Sequence, residues 1–99
     1  MATIPMVVAV RRNPQGDVLD VQMGIADTDQ NTWAAGGEPK FVPVLEVVDA
    51  LMRDDRIWSR MPNGTPGPRL KVVAAKAGQG IETVELDHPT LTVADLEQF

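Results

Sequence analysis

Apolar and polar positions divide the chain into a short series of elements. Met6-Val7-Val8-Ala9-Val10 is an unbroken apolar run that stops at Arg11-Arg12. After Asn13-Pro14-Gln15-Gly16-Asp17, Leu19, Val21 and Met23 alternate with Asp20, Gln22 and Gly24. A period of two marks a half-buried strand, and a short Pro/Gly turn between two such segments predicts an antiparallel hairpin. Met6, Val8 and Val10 are expected on the core face of the first strand. Val7 and Ala9 are apolar too, so that strand reads as central and covered on both sides.

The period changes downstream. Val44, Val47, Val48 and Leu51 fall at i, i+3, i+4 and i+7, the apolar stripe of an amphipathic helix over about residues 43–53. Pro43 suits its first position, where a missing N–H costs nothing, and Glu46, Asp49 and Arg53 suit its polar side and its dipole. Residues 56–61, 70–75 and 81–86 read as three further strands, separated by the Pro/Gly-rich stretch 62–68 and the Gly78-Gln79-Gly80 turn. Thr92 and Asp95 have capping-box spacing and predict one terminal helical turn. Residues 26–40 are polar, Gly-rich and aperiodic, and are expected to form the longest and most mobile loop. The expectation is a single α+β domain over residues 1–99: a small antiparallel sheet with one packed amphipathic helix, in the order ββαβββ. Its core should include Val8, Val10, Leu19, Val21, Val44, Val48, Leu51, Val72 and Val84.

The 99 residues are enough for one core without staples. With no cysteine, disulfides and thiolate chemistry are excluded, and the composition fits the cytoplasm. The apolar run from Ile4 to Val10 is too short to cross a bilayer and lacks the basic flank of a signal peptide. A net charge of −5 argues against general nucleic-acid binding. The charge is uneven: residues 53–76 carry six bases (Arg53, Arg56, Arg60, Arg69, Lys71, Lys76) against Asp54 and Asp55, whereas residues 77–99 carry five acids and no base. That asymmetry fits either oppositely charged strands that cancel in the fold or a basic patch for an anionic ligand.

Several of these pieces together resemble a family of short bacterial domains of unknown function. The family pattern is I/V-x-A-V-R, a turn, I-x-x-V, a Val/Ile-rich helix, strands, a closing Asp and a D/N-L-x-x-L/F tail. The corresponding residues are Val8-Ala9-Val10-Arg11, Val18-Leu19-Asp20-Val21, Glu46-Val47-Val48-Asp49-Ala50-Leu51, Asp87, and Asp95-Leu96-Glu97-Gln98-Phe99. The resemblance covers most of the chain and implies a bacterial source and a ββαββ-like layout. It brings no activity and no site residues, and residues 26–40 are longer than its pattern leads one to expect.

Candidate chemistry is sparse. His88 is the single histidine and Ser59 the single serine, too few for a nucleophile with base, orienting acid and oxyanion hole, and one histidine without cysteine cannot build a usual zinc site. Asp27, Asp29 and Asn31 alternate, and Glu38 follows Asp27 by eleven positions, as in a calcium loop. Thr32, however, stands where the sharp turn needs glycine, so a solvated acidic loop is the expectation. Gly64, Gly67, Gly78 and Gly80 precede no helix and read as turn residues rather than a phosphate cradle. No cofactor is expected.

The best binding candidate is Arg56-Trp58-Arg60. Alternation puts all three on one strand face, with Ile57 and Met61 on the other. Trp58 is then either an exposed anchor between two guanidinium groups or a core residue with arginines reaching to water. Trp33 is either a second exposed anchor or a lid over the core. These features suit a small non-enzymatic interaction domain that binds a protein partner or a second copy, with no direct nucleic-acid or membrane contact. The alternative is an acidic inhibitor, encoded by a mobile element, that blocks a nucleic-acid-handling complex by charge mimicry. An enzyme of unrecognised type would need a deep pocket holding a perturbed carboxylate.

Overall fold

A hairpin organises the molecule. In the computed structural model, which describes residues 2–78 and 80–99, strand β1 (Thr3–Arg12) pairs antiparallel with β2 (Val18–Asp27). The turn is closed by Gly16 N–H donating to the Asn13 carbonyl and Asp17 N–H to Asn13 Oδ1, both at 2.9 Å. Two register shifts interrupt the ladder. Val7 lies opposite Met23 and Ala9 opposite Gln22, so Val8 is an extra residue in β1. Arg11 lies opposite Asp20 and Arg12 opposite Val18, so Leu19 is an extra residue in β2.

These shifts correct the expected core. One extra residue moves every following side chain to the other face. Met6, Val7, Ala9 and Val10 are buried, while Val8 is only half-buried. Val18 takes the inward position that alternation assigns to Leu19, and Leu19 is 42% exposed. The expectation that both faces of β1 are covered holds: Val7 and Val10 join the main core, and Met6 and Ala9 are buried on the opposite face.

The segment 26–40 is not one long loop. It folds back on β2 as β3 (Thr32–Trp33) and is followed by β4 (Lys40–Pro43), both antiparallel to β2. Backbone bonds from Ile25 N–H to Gly37 O (2.7 Å) and from Ala34 N–H to Ile25 O (2.8 Å) fasten it along that strand. Helix α1 (Val44–Met52) begins directly after Pro43, which is its N-cap, with Val47 and Val48 buried and Val44 and Leu51 packed against the core. The helix carries the chain across the sheet, so β5 (Trp58–Arg60) enters on the far side of β1 and parallel to it. The sheet is therefore mixed rather than purely antiparallel, because strands joined by a crossover helix return in the same direction.

Strand β6 (Pro66–Ala74) pairs antiparallel with β5 and with β7 (Glu82–Leu86). Thr92 and Asp95 form the expected capping box, but it closes a 3-10 turn over Val93–Asp95 and leads into β8 (Glu97–Gln98), parallel to β1. The eight strands among the described residues run β3-β2-β1-β5-β6-β7, with β4 beside β2 and β8 beside β1. The β6–β7 hairpin curls back to the start of β2, where Thr83 Oγ1 donates to the Val18 carbonyl at 2.8 Å. The helix and this curl enclose one core of Val7, Val10, Val18, Val21, Val47, Val48, Ile57, Leu70, Val84, Leu86, Val93 and Leu96.

Candidate functional site

The main core and the side chains packed against it contain no aromatic residue among those described. The chain has two tryptophans, two phenylalanines and no tyrosine, and all four rings lie on the sheet face opposite α1. Residues paired across strands share a face, so this placement follows from register. Gly24 pairs with Met6, Met6 with Trp58, and Trp58 with Arg69, forming one row over β2, β1, β5 and β6.

Trp33 lies against Gly24. A Cβ on Gly24 would stand 2.8 Å from Trp33 Cζ3 and 2.7 Å from the Gly37 carbonyl oxygen, so only glycine admits the indole there. At the other end of the face Phe41 pairs with Gln22, which pairs with Ala9. The Phe41 and Phe99 rings meet at 5.2 Å between centroids, tilted by 54°, while 71% and 45% exposed.

Each tryptophan carries a guanidinium. Arg60 sits 5.5 Å from the centroid of Trp33 and Arg69 sits 5.7 Å from that of Trp58, contacts worth about 0.5–1 kcal/mol each at an exposed site. Arg60 from β5 and Trp33 from β3 meet across the strands between them, and the Arg60 Nε donates to the Gly64 carbonyl at 3.3 Å. The ion pairs among the described residues are Arg11–Asp20 and Arg53–Asp55, so neither stacked arginine has a carboxylate partner. Open grooves flank the Arg60 side chain, one of about 170 Å³ with Ile4, Met6 and Asp27 in its wall and one of about 280 Å³ with Val8, Trp33 and Glu97.

The predicted strand triad is divided. Ile57 is buried, Met61 packs against the core from the same side, and Trp58 and Arg60 share the outer face, half-buried. Arg56 precedes the strand and is exposed in a separate groove beside Asp54, Asp55 and Asp87. Trp33 joins Arg60 instead, because β3 brings it onto the sheet. Trp58 is thus neither a core residue nor a free anchor.

Two of the four calcium-loop residues, Asp27 and Asp29, accept backbone N–H groups. Asp27 is buried, and its Oδ1 accepts the N–H groups of Asp29 (2.9 Å) and Gln30 (3.2 Å). Asp29 Oδ2 accepts the Ala2 N–H at 3.1 Å, Asn31 takes a left-handed turn conformation, and Glu38 is exposed beyond β3. Among the described residues no group of three His, Cys, Asp or Glu side chains is placed to hold a metal ion. His88 Nδ1 accepts the N–H groups of Thr90 (3.1 Å) and Leu91 (2.9 Å), and Ser59, fully buried, donates to the Pro68 carbonyl at 2.7 Å.

One carboxylate of structural weight gave no motif signal. Asp17 Oδ1 accepts the Lys76 N–H at 2.8 Å and Oδ2 the Ala77 N–H at 2.9 Å, tying the β1–β2 turn to the β6–β7 turn. The Lys76 backbone bond holds this carboxyl below its ordinary range. Burial opposes that shift, and the Ala77 N–H, the Asn13 amide and the Lys76 charge reinforce it. No helix of the described residues is long and apolar enough to cross a membrane. No family model matches the chain, and no curated protein or solved structure matches it.

Proposed function

We propose that the chain is a non-enzymatic binding domain that engages a protein partner through the aromatic and arginine face. The observation that carries this reading is the segregation of the rings: an all-aliphatic core on one side of the sheet, and every Trp and Phe on the other. Aromatic side chains bury more apolar area than any others. A fold that leaves them at the surface forgoes that gain in its own core. Trp and Arg are also the side chains that dominate interface energetics, and stacking favours one placement of each arginine before any partner arrives. The open shape of the grooves and the structural engagement of His88 and Ser59 favour binding over chemistry.

Affinity capture from cells of the source organism tests this. The unaltered chain and Leu45→Ala, on the exposed side of the helix, should recover the same partner. A folded Trp33→Ala/Trp58→Ala variant should not. Equal recovery by that variant would refute the assignment of the face.

A further inference from the structure

Arg60 lines both grooves of the outer face. Its guanidinium is stacked on Trp33, and its Nε is held by Gly64. The residue is half-buried and forms no ion pair among the described residues. A partly desolvated cation of this kind gains from an anion that completes its hydrogen bonds, and a guanidinium is matched bidentately by a carboxylate.

The surroundings select which anion. On one side of Arg60 the groove wall includes Ile4, Met6 and Pro66, and on the other Val8, Pro39 and Pro62. Apolar side chains therefore lie on both sides of Arg60, joined in the first groove by the neutral polar Thr28, Asn31 and Thr32. Each groove also contains one acid, Asp27 on the first side and Glu97 on the second. Asp27 is buried and caps the Asp29 and Gln30 N–H groups, whereas Glu97 is exposed. Within the two grooves a polyphosphate chain, charged at every step, would meet the exposed Glu97 carboxylate beside Arg60, the one base in their walls. An extended peptide meets no such penalty if it carries one acidic side chain between neutral apolar ones. Its repeat of about 3.3 Å per residue lets successive side chains enter the grooves on either side of Arg60, whose walls both include Gly64.

We propose that the two grooves form one channel for an extended segment of a partner protein, with a single Asp or Glu side chain bound by Arg60 and apolar side chains on both sides of it. This rests on the binding-face reading above and names the partner's chemistry.

The full chain is panned against a displayed library of random linear peptides, and enriched peptides are synthesised and titrated using the intrinsic Trp fluorescence. Enriched sequences should share one acidic residue with apolar neighbours. Affinity should fall by about tenfold or more in Arg60→Gln, a loss consistent with a charge-assisted pair. It should fall equally when the peptide's acid becomes its amide, and it should be unchanged in Arg53→Gln. Circular dichroism establishes that each variant is folded. Peptides that lack an acid and bind Arg60→Gln as well as the unaltered chain would overturn the proposal. If that binding is still lost in Trp33→Ala/Trp58→Ala, the face survives as a binding surface. Binding that neither variant alters would overturn both readings. Arg60-dependent binding of single-stranded oligothymidylate, tighter than that of any enriched peptide, would overturn the peptide assignment in favour of nucleic acid.

Discussion

Gly24→Ala isolates the link between one backbone position and the binding face. The added methyl would stand 2.7 Å from the Gly37 carbonyl oxygen and 2.8 Å from Trp33 Cζ3, both too close. The carbonyl cannot retreat cheaply, because it accepts the Ile25 N–H at 2.7 Å. The indole must therefore move, and its stacking with Arg60 must move with it. Overpacking of this kind costs about 1–3 kcal/mol. Restricting the unfolded chain returns roughly 0.4–1 kcal/mol. The net loss should be about 1–2 kcal/mol, and for a domain of this size each kcal/mol lowers the melting temperature by about 4–8 °C. Gly16→Ala is the comparison. Its φ of +91° makes alanine strained, but its nearest atom is 3.8 Å away and no ring is involved. That strain is worth about 1–2 kcal/mol. Urea denaturation followed by circular dichroism should show similar losses for the two variants, while only Gly24→Ala changes the Trp emission of the folded state. An unchanged or raised midpoint for Gly24→Ala, with unaltered emission, would refute the close packing of Trp33 on the sheet.

Three further outcomes follow from the same contacts. Val48→Ala removes two methyl groups from the buried helix stripe and should cost roughly 1–3 kcal/mol in urea denaturation; an unchanged midpoint would remove Val48 from the core. Trp58→Ala should cost about 1–2 kcal/mol, below the roughly 3–5 kcal/mol of a fully buried aromatic, and a larger loss would place Trp58 in the core. The folded-state pKa of Asp17 is depressed, so its contribution to stability is present above the unfolded carboxyl value of about 3.9 and is lost as pH falls through the lower folded value. Asp17→Asn should be less stable than the unaltered chain at neutral pH, with the gap closing in that acid window; a gap constant with pH in thermal melts would contradict the linkage.

Local pattern was sufficient for much of this molecule. The helix was legible because its apolar stripe repeats at the helical period and a proline stands at its start. The first hairpin was legible because its strands and turn are contiguous, and the capping box because Thr92 and Asp95 are three residues apart. The pairing of Trp58 with Arg60 on one face was legible too, since it needs only the alternation of a strand. Tertiary structure decided the rest. Whether Val18 or Leu19 faces inward depends on register shifts set by the partner strand, which leave no mark in the alternation itself. β3 and β4 are strands because β2 offers them a ladder edge. Local composition over residues 26–40 reads as loop, and non-local hydrogen bonds to β2 override it there. The row from Gly24 through Met6 and Trp58 to Arg69 joins positions distant along the chain, and Trp33 finds Arg60 only after β3 has folded onto β2. Local sequence sets which residues are apolar and at what period. Which of them meet is set by strand register and chain crossing, and those depend on the whole fold at once.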